Sequence, residues 1–185
     1  MDEVSLDSSS SENHPYTELT PDSVLEAVEA LGYETDARVF ALNSYENRVY
    51  QIGVFDQPSI IVKFYRPGGW TNEQIHEEHN FTRELVDLDI PVIPPLDFGD
   101  KGSLLQHGNF RFSVFEQFAG RPPELDNLDN LLVMGRFVGR LHAVGAMSNF
   151  KHRVELSIER LGVSSRAYLL ENNFIPKDLV AAYES

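Results

Sequence analysis

The sequence predicts an α+β fold in which an antiparallel sheet with associated helices is followed by a helical portion. Three observations carry that expectation. The runs ARVFALN, RVYQIGVF and IIVKFYR are rich in β-branched and aromatic residues and are parted only by NSYEN and DQPS, the pattern of three consecutive antiparallel strands. A helical period follows, with Thr71 as cap and Ile75, Phe81, Leu85 and Leu88 at roughly helical spacing, before IPVIPP blocks further helix. A longer amphipathic segment from about Leu128 to Ala146 carries Leu132, Phe137, Val138, Leu141 and Val144 on a broad apolar face, with Gly145 near its end.

Taken in order, the elements begin after a polar leader. MDEVSLDSSSSENH has the Ser-rich, acidic make-up of a disordered tail, and Ser8 to Ser11 are positions that phosphorylation could use. Order is expected from Thr20, where Thr20-Pro21-Asp22 supplies N-cap, first helical position and first-turn acid. Val24, Leu25, Val28 and Leu31 then mark an apolar face that ends at Gly32. The three strands and the capped helix come next. LDFGDKGSLLQHGNFRFSVFEQF reads as strand, Gly-Asp-Lys-Gly turn, strand, turn, strand. No internal repeat is present.

Composition narrows the function classes. With 185 residues and 42% apolar composition the chain can bury a sizeable core. The absence of cysteine removes disulfides, thiol catalysis and Cys-rich metal sites. No stretch approaches the roughly 20 apolar residues of a membrane span, and the acidic N-terminus is unlike a signal peptide, so the expectation is a cytoplasmic protein with no membrane partner. Ten of the 29 acidic residues precede Arg38, the first basic one, so most of the net charge of −14 falls in residues 1–37. The nearly balanced remainder offers no basic face for nucleic acid.

Helix, three strands, helix, further strands, linker, helix is the plan of a protein-kinase-like N-lobe (antiparallel sheet plus helix) followed by the helical start of a C-lobe. The segments LNSYENRVYQ, VKFYRPGGWT, EEHNF, PVIPPLDFG, FSVFEQFAGR and VGRLHAVG resemble the bacterial stress-response kinase A family, which has the aminoglycoside-phosphotransferase-like version of the kinase fold. The resemblance covers about Leu19 to Ser185. It implies a disordered acidic leader over 1–18, a kinase-like N-lobe over 19–119, and a hinge exit with a partial helical C-lobe over 120–185.

Site residues follow from that plan and from their own chemistry. Lys63 lies among apolar neighbours in the third strand, where an ammonium needs a partner. A kinase lysine at this place contacts the α- and β-phosphates of ATP and is oriented by a glutamate on the next helix. Glu77 and Glu78 are the candidates, and the resemblance favours Glu78. The turn Asn43-Ser44-Tyr45-Glu46-Asn47 occupies the place of a glycine-rich phosphate loop but has no glycine, so small polar side chains, Ser44 and Asn47, are expected to donate to phosphate oxygens. Resemblance puts Ser44 at the nucleotide. It also places adenine against backbone groups of Glu116 and Phe118 at the hinge.

Asp97-Phe98-Gly99 matches the tripeptide that holds magnesium in protein kinases, yet it precedes the hinge, whereas that aspartate belongs after the catalytic loop. It is expected to be an N-lobe hairpin with Phe98 packed inward. His142 is read as a packed helical histidine, and His76, His79, His107 and His152 lack metal-ligand spacing. The resemblance further implies a catalytic loop H-G-D-x-H-x-x-N and a later metal-binding aspartate. Neither occurs in this sequence, so no catalytic residue and no metal ligand is expected within it, and the Mg2+ ligands are expected in the missing part of the C-lobe. The reading is therefore an N-terminal portion of an ATP-dependent Ser/Thr protein kinase of stress response, with a protein Ser/Thr acceptor, incompetent alone. A fragment of a kinase for small aminoglycoside-like or choline-like alcohols, or a non-catalytic nucleotide-binding module, are the alternatives.

Overall fold

The computed structural model describes residues 15–184. Most of the expected acidic leader, residues 1–14, lies outside them. Packing begins earlier than the first helix cap, because Tyr16 and Leu19 are buried in the main core. Tyr16 stacks on Phe110 and lies under the Arg48 guanidinium.

Helix α1, Pro21–Glu29, starts where its sequence signals place it: the Thr20 side chain accepts from Ser23 N and proline occupies the first turn. Strands β1 (Thr35–Leu42), β2 (Arg48–Val54) and β3 (Ile60–Phe64) follow as a meander. With β4 (Leu105–His107) and β5 (Phe110–Glu116) they form a five-stranded antiparallel sheet in the order β1-β2-β3-β5-β4. Ile52, Val62, Phe64, Phe112 and Val114 share one face and bury against Val24, Ala27 and Val28 of α1. Phe64 stacks on Phe112 with ring centres 5.2 Å apart, at the centre of this core.

β1 is irregular at its start. Its register with β2 shifts between Thr35 and Val39, and Ala37 adopts φ 61°. Asp36 stabilises the bulge by accepting from the backbone N of Arg38 at 3.0 Å and pairing with the Arg38 guanidinium. Gly53 on β2 lies directly beneath that carboxylate, where a Cβ would collide with it.

The segment before β4 departs from the expected strand and hairpin. Pro95 makes an isolated bridge to Phe115, Leu96 N donates to Val114 O, and Gly99–Lys101 form a 3-10 turn. Three prolines, Pro91, Pro94 and Pro95, lack the N–H donors of a ladder, and Gly99 and Gly102 at positive φ curl the chain instead. Phe98 does pack inward, edge-on to Tyr33.

Helix α2, Asn72–Asp87, carries a full capping box between Thr71 and Gln74. Helix α3, Leu128–Gly145, packs Phe137, Leu141 and Val144 against Phe81, Leu85 and Ile90. The rest of its apolar face is open, with Leu132 and Val138 exposed, and His142 is exposed rather than packed. Contacts divide the chain after Asn149, so α3 belongs to the same compact unit as the sheet, although the sequence groups it with the helical lobe. The second unit, from Phe150 onward, contains a π-helical stretch over Glu159–Ser164 and two short helices, α4 (Ser165–Glu171) and α5 (Val180–Glu184). Within it Tyr168 stacks on Phe174.

Because the capping box fixes the start of α2, Thr71→Ala is expected to lower stability by about 1 kcal/mol, read as a shift of the urea midpoint with unchanged slope.

Candidate active site

Residues directly opposite in an antiparallel ladder project to the same face. Lys63 faces Val49 on β2 and Ser113 on β5, and Ile61, two residues earlier, faces Gln51 and Phe115. Phe40 and Leu42 on β1 oppose Gln51 and Val49 and so extend the same surface. The sheet face away from α1 thus carries an apolar floor of Phe40, Leu42, Val49, Ile61 and Phe115, interrupted by Gln51 and Ser113, with Lys63 set into it and a second cation, Arg111, on β5 beside the start of α2. Phe40 and Leu42 remain 54% and 40% exposed, so the floor is open to a flat apolar group. Alternation along each strand was the available signal for these residues, but only the register shows that they share a face.

Lys63 Nζ lies 2.9 Å from Glu78 Oε1, with both side chains partly buried. Glu78, not Glu77, is the partner. The ammonium also sits 4.8 Å over the ring of Tyr65. The next residue on α2, His79, is only 1% exposed. Its Nε2 lies 2.9 Å from the Tyr65 hydroxyl and 3.4 Å from Ser113 Oγ, and its Nδ1 lies 2.9 Å from Ser103 Oγ. Ser113 in turn donates to Ser103 O at 2.8 Å. Burial, the main cause, depresses the His79 pKa to about 4, so the ring is neutral at pH 7. Spacing in the sequence marks His79 only as an unpromising metal ligand; its role depends on which face of α2 meets the sheet.

Several contacts hold α2 at its two ends. Arg111 on β5 donates to Asn72 Oδ1 at 2.7 Å and to Trp70 O at 2.6 Å, beside the N-terminus. Arg140 on α3 donates to Asp89 O at 2.9 Å and Leu88 O at 3.3 Å, where carbonyls at the C-terminal end attract a cation. Arg83 pairs with Asp97 at 3.1 Å, while Asp97 Oδ1 accepts from Gly99 N at 2.9 Å. Asp97 therefore ties the loop before β4 to α2.

The turn between β1 and β2 is held from within and without. Ser44 Oγ donates to Asn47 O at 2.7 Å, and Asn47 Oδ1 accepts from Arg66 N at 3.3 Å. Tyr16 OH donates to Glu46 O at 2.9 Å, and Trp70 Nε1 donates to Glu46 Oε2 at 3.3 Å. The two side chains read from sequence as phosphate donors are thus engaged in shaping the turn.

Glu116 ends β5 opposite Ile60, three residues before Lys63 on the neighbouring strand, and Phe118 stands exposed two positions beyond it. Burial raises the Tyr33 hydroxyl above its ordinary pKa, with a smaller contribution from Glu116. Of the expected residues, the structure joins Lys63 to Glu78 and Ser44 to Asn47, and places Glu116 beside the strand that carries Lys63.

An antiparallel sheet whose third strand carries a lysine paired to a glutamate on the following helix defines a kinase-like N-lobe. Residues 38–171 match the phosphotransferase enzyme family, and the chain belongs to that family. It is 39% identical over 165 residues to stress response kinase A of Escherichia coli O157:H7, covering 89% of this chain and 50% of that protein. It is 37% identical, with the same coverage, to a Salmonella typhimurium protein called serine/threonine protein kinase RdoA. The chain spans about half the length of the curated relatives it matches. Among solved structures, amicoumacin kinase hAmiN in complex with AMP-PNP, Ca2+ and Ami superposes with a TM-score of 0.64 at 21% identity, covering 81% of this chain and 50% of that one. A microcompartment-associated aminopropanol kinase gives a TM-score of 0.59 at 19% identity, covering 80% and 54%. Both likenesses show the kinase-like fold.

The depressed His79 pKa sets a pH dependence. Its unfolded value is near 6.5 and its folded value about 4, so the unfolded chain binds more protons between them and the contribution of His79 is lost as pH falls from about 6.5 to about 4. Wild type should lose up to about 3 kcal/mol more than His79→Gln across that window, measured as urea-unfolding free energy at pH 7 and pH 4.

Proposed function

We propose that this chain supplies the nucleotide-binding part of an ATP-dependent Ser/Thr protein kinase of the stress-response kinase A type, acting in the cytoplasm. The observation that carries the reading is the Lys63–Glu78 pair, 2.9 Å apart beside the apolar patch of Phe40, Leu42, Val49, Ile61 and Phe115 on the same sheet face. That arrangement suits a ligand that is flat and apolar at one end and polyanionic at the other. Phe40, Leu42, Val49, Ile61 and Phe115 would take the adenine side, with backbone groups of Glu116 and Phe118 reading its edge. Lys63, oriented by Glu78, would meet the α- and β-phosphates, and the turn carrying Ser44 and Asn47 would close over them.

In this proposal the N-lobe spans 19–119, and residues 120–185 begin the C-lobe. Lys63 does not accept a proton in the reaction; it neutralises phosphate charge in a site shielded from water. The group that takes the proton of the acceptor hydroxyl is expected outside these 185 residues, since no H-G-D-x-H-x-x-N segment occurs in them. The magnesium ligands are likewise expected outside these 185 residues, on the aspartate that follows the catalytic loop. No helix among the described residues is long and apolar enough to cross a membrane. The chain alone is expected to bind nucleotide without transferring phosphate.

Support for a protein acceptor comes from the names of the relatives at 37–39% identity, one of which is called a serine/threonine protein kinase. A small-molecule acceptor is supported by likeness of fold alone. Calorimetric titration with ATP, with adenosine as the phosphate-free control, tests the reading. Lys63→Met keeps the apolar stem, and should weaken ATP roughly tenfold to hundredfold while leaving adenosine unchanged. Equal ATP affinity for wild type and Lys63→Met would overturn the assignment.

A further inference from the structure

His79 is the one ionisable side chain on α2 that faces neither solvent nor Lys63, and its two ring nitrogens are engaged on both sides. Nε2 reaches Tyr65, just beyond β3, and Ser113 on β5; Nδ1 reaches Ser103, in the loop before β4. Two of these partners are themselves tied to the lysine site. The Tyr65 ring lies 4.8 Å under Lys63 Nζ, and Ser113 is the cross-strand partner of Lys63. His79 also follows Glu78 directly in sequence, so any rotation or sliding of α2 that moves one moves the other. A sliding α2 would leave the buried imidazole with unpaired nitrogens, whereas Glu78, partly exposed, could find water.

From this geometry we infer that His79 is a positioning residue for the Lys63–Glu78 pair, locking α2 to the sheet in the one setting where the carboxylate reaches the ammonium. The inference rests on the reading of that pair as the phosphate side of a nucleotide site, and it adds the element that sets its geometry. All partners of the ring are hydroxyls, which both donate and accept, so a neutral imidazole is satisfied in either tautomer. The charged groups nearby are Glu78, Lys63, Arg83 and, when protonated, His76. The hydrogen bonds to the ring come from the neutral hydroxyls of Tyr65, Ser103 and Ser113.

The test is nucleotide-free. Lys63 acylation by a water-soluble active ester, measured by mass spectrometry relative to Lys101, reports how fully the carboxylate engages the ammonium. Glu78→Gln should raise Lys63 labelling about fivefold, the scale of a partly exposed ion pair. His79→Leu keeps the bulk and removes both ring contacts. It should raise labelling to the same level with helix content retained by circular dichroism, and combining it with Glu78→Gln should give no further rise, because the two act through one pair. Labelling of folded His79→Leu at the wild-type level, or a double variant whose effects multiply, would overturn the inference. If His79→Leu does not fold, Tyr65→Phe decides by the same criteria: it removes the hydroxyl at Nε2 and keeps the ring under Lys63, and should raise labelling about twofold to threefold. ATP titration of the same proteins judges the nucleotide reading separately. Loss of that reading would leave the labelling result standing.

Discussion

An ammonium set into an apolar sheet face is the constraint on which the rest of this structure depends. Lys63 lies between Val49 and Ser113 on the adjacent strands, neither of which can neutralise it, and the carboxylate that does comes from a different element. The setting of α2 on the sheet therefore decides whether the pair forms. The chain meets this need with local and tertiary devices together: a capping box at the start, Arg111 beside the first turn, Arg140 at the last carbonyls, and the His79 hydrogen bonds between them. Few of these contacts contribute much alone. Their effect is to exclude neighbouring settings of the helix.

A large part of this plan is legible in the sequence because it is local. The N-caps Thr20 and Thr71, the three β-rich runs and the amphipathic period after Leu128 each encode an element within a dozen or so residues, and each element is present. Glu78 as the partner of Lys63 was also readable, from family resemblance rather than from the residues, since Glu77 satisfies the chemistry equally well.

What escaped prediction depends on contacts far apart in sequence. LDF reads as a strand by composition, but the preceding prolines cannot donate to a ladder, and the segment settles for one bridge and a 3-10 turn. Ser44 and Asn47 read as ligand donors because the turn that carries them has no glycine; the contacts of Arg66, Tyr16 and Trp70 with that turn, all distant in sequence, are what could not be read. His79 belongs to the same class. A helical wheel assigns it no special place until the sheet beneath α2 is known to offer three hydroxyls.

The bulge at the start of β1 has a consequence for how copies of this chain meet. A sheet with free outer strands can grow by adding a strand from another molecule, and this sheet carries exposed Phe40 and Leu42 on its outermost strand. Regular pairing geometry on that strand is confined to Val39–Leu42, because Ala37 turns the backbone aside and Asp36 and Arg38 hold it there. On the opposite border β4 is three residues long. Neither border offers a long straight template for an added strand, which disfavours growth of the sheet from either side, while Phe40 and Leu42 stay exposed on its face.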